Sequence, residues 1–412
     1  GAADPAAVTA LGAALRDPEG VRADPVAARD LAVRFQQTTG PVMAKGIEDT
    51  AFYRWHRLVA LNEVGADPAT GRHPGTERLH GWAAHQVEHW PGGMTTLSTH
   101  DTKRSEDVRA RILAAATDGA AWRECTQVFA AAAAEYGVDG PTAHLLWQTV
   151  LGTDGIDTQR LTDYLTKAVR EAKQHTTWTE QDPDYEDRVL GLARAALEDH
   201  ALRRPVARAL ESTRPAARLL VLAQKLLQLM LPGVPDVYQG CELVTDSLVD
   251  PDNRRPVDYA VRRQRLAQLD EGERPGDLDD EKLLLTSRAL RLRARHPASF
   301  GPGSGYRPVQ APGLLGMLRT PPPADEATPT VAAVARLPWT DDPGGGHADT
   351  LPAGHWVDEL TGRRVVTDGG PLDREQLFPG SGMPVALLVA ETEDTADTAD
   401  AAGVESVTEP GR

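Results

Sequence analysis

The chain has 412 residues, 41% of them apolar, and a formal net charge of −16 at pH 7. That length suits two domains, and that apolar share supplies a sizeable core and argues against wholesale disorder. An acidic balance of this size argues against nucleic acid or an anionic membrane as partner, and fits a soluble cytoplasmic enzyme acting on a neutral substrate. Two cysteines, Cys125 and Cys241, are too few for a disulfide framework and point to a reducing compartment. The most apolar run, Ala216 to Pro235, is broken by Arg218, Gln224, Lys225 and Gln228, and reads as a buried amphipathic helix, not a membrane span. The start, "GAADPAAVTALGAAL", has no basic stretch of a signal peptide and no initiator Met, so the chain is expected to be processed or a portion of a longer one.

In chain order, residues 1 to 34 are Ala-rich and expected to be helical. A turn is expected at Gly40-Pro41, followed by the short apolar run Val42 to Ala44. "LHGWAAHQVEHW" (Leu79 to Trp90) reads as a short helix closed by Pro91-Gly92-Gly93. Met94 to Thr99 has strand composition, and Ser105 to Ala116 has helical periodicity with Glu106 and Asp107 in its first turn, where they favour the helix dipole. Residues 117 to 215 give several helices punctuated by "YGVDGPT" and "HTTWTEQDPDYED". An apolar helix follows at Leu219 to Leu231. From residue 297 Gly and Pro are dense and short apolar runs recur at even spacing, which predicts a small β-sandwich over 297–392. The remaining 393–412 are acidic, poor in apolar residues and expected to be disordered. The first 296 residues alternate strand and helix signals, so parallel strands with crossover helices are expected there. Loops at the C-terminal ends of such strands carry the reactive groups.

Three constellations could carry chemistry. His100 and Asp101 end the strand at Thr99, with Lys103 and Arg104 following, which aims both side chains into the mouth of a sheet or barrel; a capping Asp with a solvated basic pair is the plain alternative. "HQVEH" (His85 to His89) matches a zinc-peptidase spacing, but the helix is short and no third ligand stands out. "GVRAD" (Gly20 to Asp24) mimics a nucleophile motif, yet no strand precedes Arg22 and Asp24 and Pro25 follows, so it reads as a turn between helices.

The segments "QQTTGPVMAKGIEDTAFYR", "STHDTKRSEDVRAR" and "LVDPDNRRPVDY" resemble the maltooligosyl trehalose synthase family, within glycoside hydrolase family 13 of the α-amylase superfamily. "REAKQHTTWTEQDPDYE", "PGVPDVYQG" and "LPAGHWVDELTGRR" support the resemblance, in the family's order, over about residues 31 to 392. It implies an α/β fold: the C-terminal part of a (β/α)8 TIM barrel with a helical insertion at about 117–215, together spanning 1–296, then the β-sandwich. It also implies an isomerase of trehalose biosynthesis. That enzyme converts the reducing-end α-1,4 linkage of a maltooligosaccharide to α,α-1,1 by intramolecular transglycosylation, with no cofactor and no metal. The mechanism implied is retaining, with a carboxylate nucleophile, a carboxylic acid and exclusion of water.

By the resemblance, Asp101 is the superfamily's third carboxylate, which holds hydroxyls of the sugar at the cleavage point, and His100 donates to the same sugar. Lys45 and Asp49, in "AKGIEDT", are expected to hold the departing glucose. Arg254 lines the donor side or forms a structural ion pair. Lys103 and Arg104 contact substrate or serve as scaffold. In the family the nucleophile Asp and the acid Glu lie upstream of "QQTTGPVMAKG", and neither motif is present here. The chain is therefore expected to need a missing N-terminal barrel segment as its partner and to be inactive alone. Two other readings stay open: a non-catalytic glucan-binding fragment, and another hydrolase or transglycosylase of the superfamily.

Overall fold

The computed structural model describes residues 4–21, 24–67, 76–339, 350–380 and 382–391. Arg22 and the expected acidic tail lie outside the described residues. The chain opens with two helices, α1 (Pro5–Arg16) and α2 (Pro25–Val42). Each starts on an Asp whose carboxylate accepts a backbone N–H of the first turn, Asp4 from Ala6 and Asp24 from Ala27, with Pro at the first helical position. Asp24 is thus a helix cap. Only Ala28 and Ala32 of these two helices are buried, while Val26 is 79% and Val42 61% exposed.

The expected turn at Gly40-Pro41 is absent, because α2 continues through Pro41 to Val42 and opens into a π-helical turn at Met43–Glu48. A proline removes one helical hydrogen bond and crowds the preceding turn, and the wider turn follows directly on that defect. Then come α3 (Thr76–His89), β1 (Met94–Thr96) and α4 (Glu106–Ala116). Five helices follow: α5 (Gly119–Tyr136), α6 (Gly140–Thr153), α7 (Thr158–Ala172), α8 (Pro183–Glu198) and α9 (His200–Met230). They pack around Phe129, Leu146, Trp147, Leu165 and Leu192. Gly137, at φ 68°, ends α5 in the left-handed conformation that glycine reaches without strain. The helix expected at Leu219 to Leu231 is the second half of the 31-residue α9, which runs through Pro205 and Pro215.

β2 (Val234–Asp236) returns beside β1 in parallel, with Met94 opposite Val234 and Thr96 opposite Asp236. The parallel pairing expected from the strand–helix alternation is therefore present, but as one pair; the other described residues before 297 are helices and loops. After α10 (Tyr259–Asp270) and α11 (Leu278–Arg295) come β3 (Gly305–Ala311), β4 (Leu314–Thr320), β5 (Val331–Arg336), β6 (Gly354–Asp358), β7 (Arg364–Thr367), the short α12 (Arg374–Leu377) and β8 (Val385–Ala390). These strands form one antiparallel sheet in the order β3-β4-β5-β8-β6-β7. The even strand spacing had suggested two sheets. Instead, a single sheet among the described residues is covered on both faces. Val331, Ala333 and Ala335 of β5 join Leu222, Leu226 and Leu229 of α9 and Leu285 and Leu292 of α11. Ala332 and Val334, on the other face, join Trp356, Leu351 and Phe378. Two buried faces explain the unbroken apolar run "VAAVA".

Candidate active site

The open end of the β1–β2 pair carries the residues that the sequence singles out. After β1 the backbone makes a tight loop locked by two threonines. Thr99 Oγ1 accepts from the N–H groups of Asp101 and Thr102, each at 3.1 Å, while Thr102 Oγ1 donates to the Thr99 carbonyl at 2.9 Å. This turn leaves His100 exposed, and no side-chain partner of His100 is found among the described residues. The Asp101 side chain stays 46% exposed, with one oxygen 3.5 Å from Lys103 Nζ.

Lys103 turns inward, its side chain only 3% exposed, and donates to Asp49 Oδ1 at 2.9 Å; Lys45 donates to Asp49 Oδ2 at 2.6 Å. The structure thus joins four predicted residues in one line: Asp101, Lys103, Asp49, Lys45. Burial pushes the Asp49 carboxyl up, but hydrogen bonds from Lys45 and Lys103 outweigh it and hold the group below the usual carboxylate range. Lys45 is raised by that same hydrogen bond to Asp49. The π-helical turn puts Lys45 and Asp49 on one side of the chain, and the Thr50 hydroxyl closes it by donating to the Lys45 carbonyl at 2.7 Å.

Arg104 points the other way. It is buried, donates to the Tyr164 hydroxyl at 2.8 Å and lies 5.9 Å from the centre of the Tyr164 ring. Its place is in the interior, under the loop rather than on the open surface. Arg254 forms an exposed ion pair with Asp250, Nε to Oδ1 2.5 Å, a contact of the kind that contributes about 0–1 kcal/mol. Of the two readings left open by the sequence, the ion pair is the one with a visible partner.

Four residues of this region escaped the sequence reading. Glu63 accepts from the Lys103 backbone N–H at 3.0 Å and from Arg109 at 2.8 Å, bracing the loop from below. Asn253 donates its side-chain amide to the His100 carbonyl at 2.8 Å, so the loop after β2 holds the loop after β1. Arg160 of α7 grips Asp252 with two nitrogens, at 2.7 and 2.9 Å, and Asp246 with a third at 2.7 Å, tying the helical bundle to that second loop. Lys167, also on α7, donates to the Asp250 carbonyl at 2.5 Å; burial depresses its ammonium, and nearby Lys103 adds to the effect. Nothing in the local pattern marks Lys167 or Arg160, since each is one cation on an amphipathic helix and is brought in only by tertiary packing. Asn253→Ala is expected to lower stability by about 0.5–1.5 kcal/mol, since it removes the half-buried amide that bonds the Thr99 and His100 carbonyls; urea midpoints of mutant and parent check this.

The surface therefore offers a half-open carboxylate and a free imidazole beside alternating ammonium and carboxylate groups. Such an array suits the paired hydroxyls of a sugar, which donate to carboxylates and accept from ammonium groups. It does not by itself supply two opposed free carboxylates: Asp49 is held by two lysines, and Glu63 by Arg109 and a backbone N–H. His85 and His89 stack with ring centres 4.1 Å apart, and among the described residues no group of three His, Cys, Asp or Glu side chains could hold a metal. No helix of the described residues is long and apolar enough to cross a membrane.

No protein-family model matches the chain. A Mycobacterium tuberculosis protein described as "putative maltooligosyl trehalose synthase" is 41% identical over 377 residues, which is 87% of this chain and 46% of that protein. Among solved structures, the maltooligosyltrehalose synthase of Arthrobacter ramosus matches with a TM-score of 0.75 and 39% identity, over 94% of this chain and 49% of that one. The hypothetical maltooligosyl trehalose synthase of Sulfolobus tokodaii matches with a TM-score of 0.69 and 26% identity, over 91% and 50%. The chain spans about half the length of the curated relatives it matches. Sequence and backbone agree that the chain is related to the maltooligosyl trehalose synthases along most of its own length, and corresponds to about half of theirs.

Proposed function

We propose that the chain is the C-terminal portion of a cytoplasmic maltooligosyl trehalose synthase and supplies the sugar-holding half of its active site. The observation that carries this reading is the continuous line Asp101–Lys103–Asp49–Lys45 beside the free His100. In this reading Asp101 accepts from two hydroxyls of the sugar at the cleavage point, and its grip tightens as that ring flattens toward an oxocarbenium ion. His100 adds a hydrogen bond to the same sugar. Lys45 and Asp49 hold the released glucose while it turns, with the inward-facing Lys103 fixing Asp49 and with Lys167 and Arg254 on the adjoining rim. A glucose held this way attacks the covalent intermediate through its anomeric hydroxyl before water does, which makes the reaction an isomerisation. The nucleophile and the acid come from a barrel segment outside this chain, and the β1–β2 pair with its flanking helices is that barrel's C-terminal part.

The test uses the natural protein that carries this chain. Incubated with maltopentaose, it is expected to convert the reducing end to an α,α-1,1 linkage, seen as loss of reducing sugar and a new anomeric proton signal with no glucose released. Release of glucose and maltotetraose instead would make it a hydrolase of the superfamily. Binding without any product would make it a glucan-binding protein.

A further inference from the structure

Beneath the loop of Asp101 lie four charged side chains with almost no exposure: Glu106 and Asp107 of α4, Lys225 of α9 and Lys282 of α11. Lys225 Nζ is 2.7 Å and Lys282 Nζ 2.9 Å from Glu106 Oε1, and Lys282 Nζ is 2.7 Å from Asp107 Oδ2. Burial works to raise the Glu106 carboxyl, but Lys282 and Lys225 together hold it down to about 2, so it stays ionised. Burial raises the Asp107 carboxyl, and Lys282 offsets only part of that. A buried ionic group is weak evidence for stability, because desolvation can exceed the attraction; in some proteins such a group fixes geometry instead. The question is which geometry.

Each end of the quartet leads to one of the two site loops. Toward the first loop, Ser98 donates its hydroxyl to Glu106 Oε2 at 3.0 Å and accepts the Glu106 N–H at 3.1 Å. Ser98 is buried and directly precedes the Thr99–Thr102 turn that presents His100 and Asp101. Toward the second loop, Asp107 Oδ2 accepts the Thr245 N–H at 2.8 Å and Lys282 donates to the Leu243 carbonyl at 3.0 Å. Residues 243–245 lead into the stretch that carries Asp250, Asn253 and Arg254. Both loops therefore hang from one ionic node set between α4, α9 and α11. None of its four side chains is more than 1% exposed.

We propose that Glu106, Asp107, Lys225 and Lys282, with Ser98 as the link to the first loop, form a positioning device that sets the spacing between the Asp101 loop and the Asp250–Arg254 loop, and thereby how well a released glucose is held against loss to water. This rests on the proposed function for its readout, and on geometry alone for the device. A small displacement far from the reacting atoms is enough, since about 1 Å of misplacement can cost up to about a hundredfold in rate.

The experiment compares two variants of the natural protein that carries this chain. Ser98→Ala cuts the link to the first loop and leaves every charge paired. Glu281→Gln breaks the Arg218–Glu281 ion pair between the same helices α9 and α11, one residue from Lys282 but away from both loops. Ser98→Ala is expected to lower kcat for isomerisation about tenfold and to raise the hydrolysed fraction of product, with KM for maltopentaose within about twofold. Glu281→Gln is expected to move the melting temperature at least as much and to leave kcat and the product ratio unchanged. A parental product ratio in Ser98→Ala, or an equal loss in Glu281→Gln, overturns the proposal. If the parent protein makes no trehalose-linked product, the proposed function fails. The device is then judged by amide exchange, which must quicken at 99–104 in Ser98→Ala and not in Glu281→Gln.

Discussion

In the natural protein that carries this chain, Asp101→Asn is expected to lower kcat on maltopentaose by about 10²–10³-fold, with KM changed far less. The size follows from the hydrogen bonds that strengthen only as the sugar ring flattens, which supply several kcal/mol in glycoside hydrolysis. Asn keeps the shape and one acceptor oxygen, but it replaces the other oxygen with a donor and removes the charge that stabilises a developing oxocarbenium ion. The fold should barely notice. The Asp101 side chain is 46% exposed, its ion pair with Lys103 is a long 3.5 Å, and Lys103 keeps its shorter bond to Asp49. Steady-state kinetics beside a urea melt separates the two outcomes. An unchanged kcat removes Asp101 from the chemistry, and a lost fold makes it structural.

The placement of His100 and Asp101 at a strand-to-helix junction was legible in the sequence because such a junction concentrates polar residues where a sheet ends; the turn that Thr99 and Thr102 lock was not read there. Lys45 and Asp49 were legible as members of one motif, though not as an ion pair. The link from Asp49 to Lys103 was not legible, as it spans 54 positions and arises only when the π-helical turn meets the loop after β1. Lys103 and Arg104 show the limit of local reading. Adjacent and alike in charge, they take opposite directions, one toward Asp49 and one into the interior against Tyr164. Neighbouring positions leave the backbone on different sides, and only packing decides which side is inside.

The fold was read unevenly for a similar reason. Helices with Asp caps and glycine or proline ends declared themselves, as α5, α6 and α8 do. The even spacing of short apolar runs after residue 297 identified strands, but the two-sheet sandwich read from it differs from the single six-stranded sheet observed. The alternation in β5, with Val331, Ala333 and Ala335 on one face and Ala332 and Val334 on the other, is apolar throughout, so it carries no sign of which face meets helices. The turn expected at Gly40-Pro41 failed because proline marks a local defect, and tertiary context decides whether a helix stops there or widens.

Incubated alone with maltopentaose, the 412-residue chain is expected to give no trehalose-terminated product and no glucose above a heat-killed control. Retaining cleavage needs two carboxyl groups about 5–5.5 Å apart on either side of the scissile bond, one free to attack and one free to donate a proton. Of the carboxylates near Asp101, Asp49 and Glu63 are each bound to cations. The proposed barrel segment has a second argument in the backbone. β1 and β2 pair only with each other among the described residues, so neither has a second strand along its outer edge, and Met94 and Val234 at their starts are 73% and 51% exposed. Val26 and Val42 of α2 are likewise uncovered. Alone, the chain should therefore aggregate or melt without cooperativity, and co-expression with the missing half of a relative's barrel should restore both a cooperative melt and turnover. Product from the chain alone would show that two of its own carboxylates do the chemistry, and a cooperative monomeric melt would show that the strand edges and helix faces need no cover.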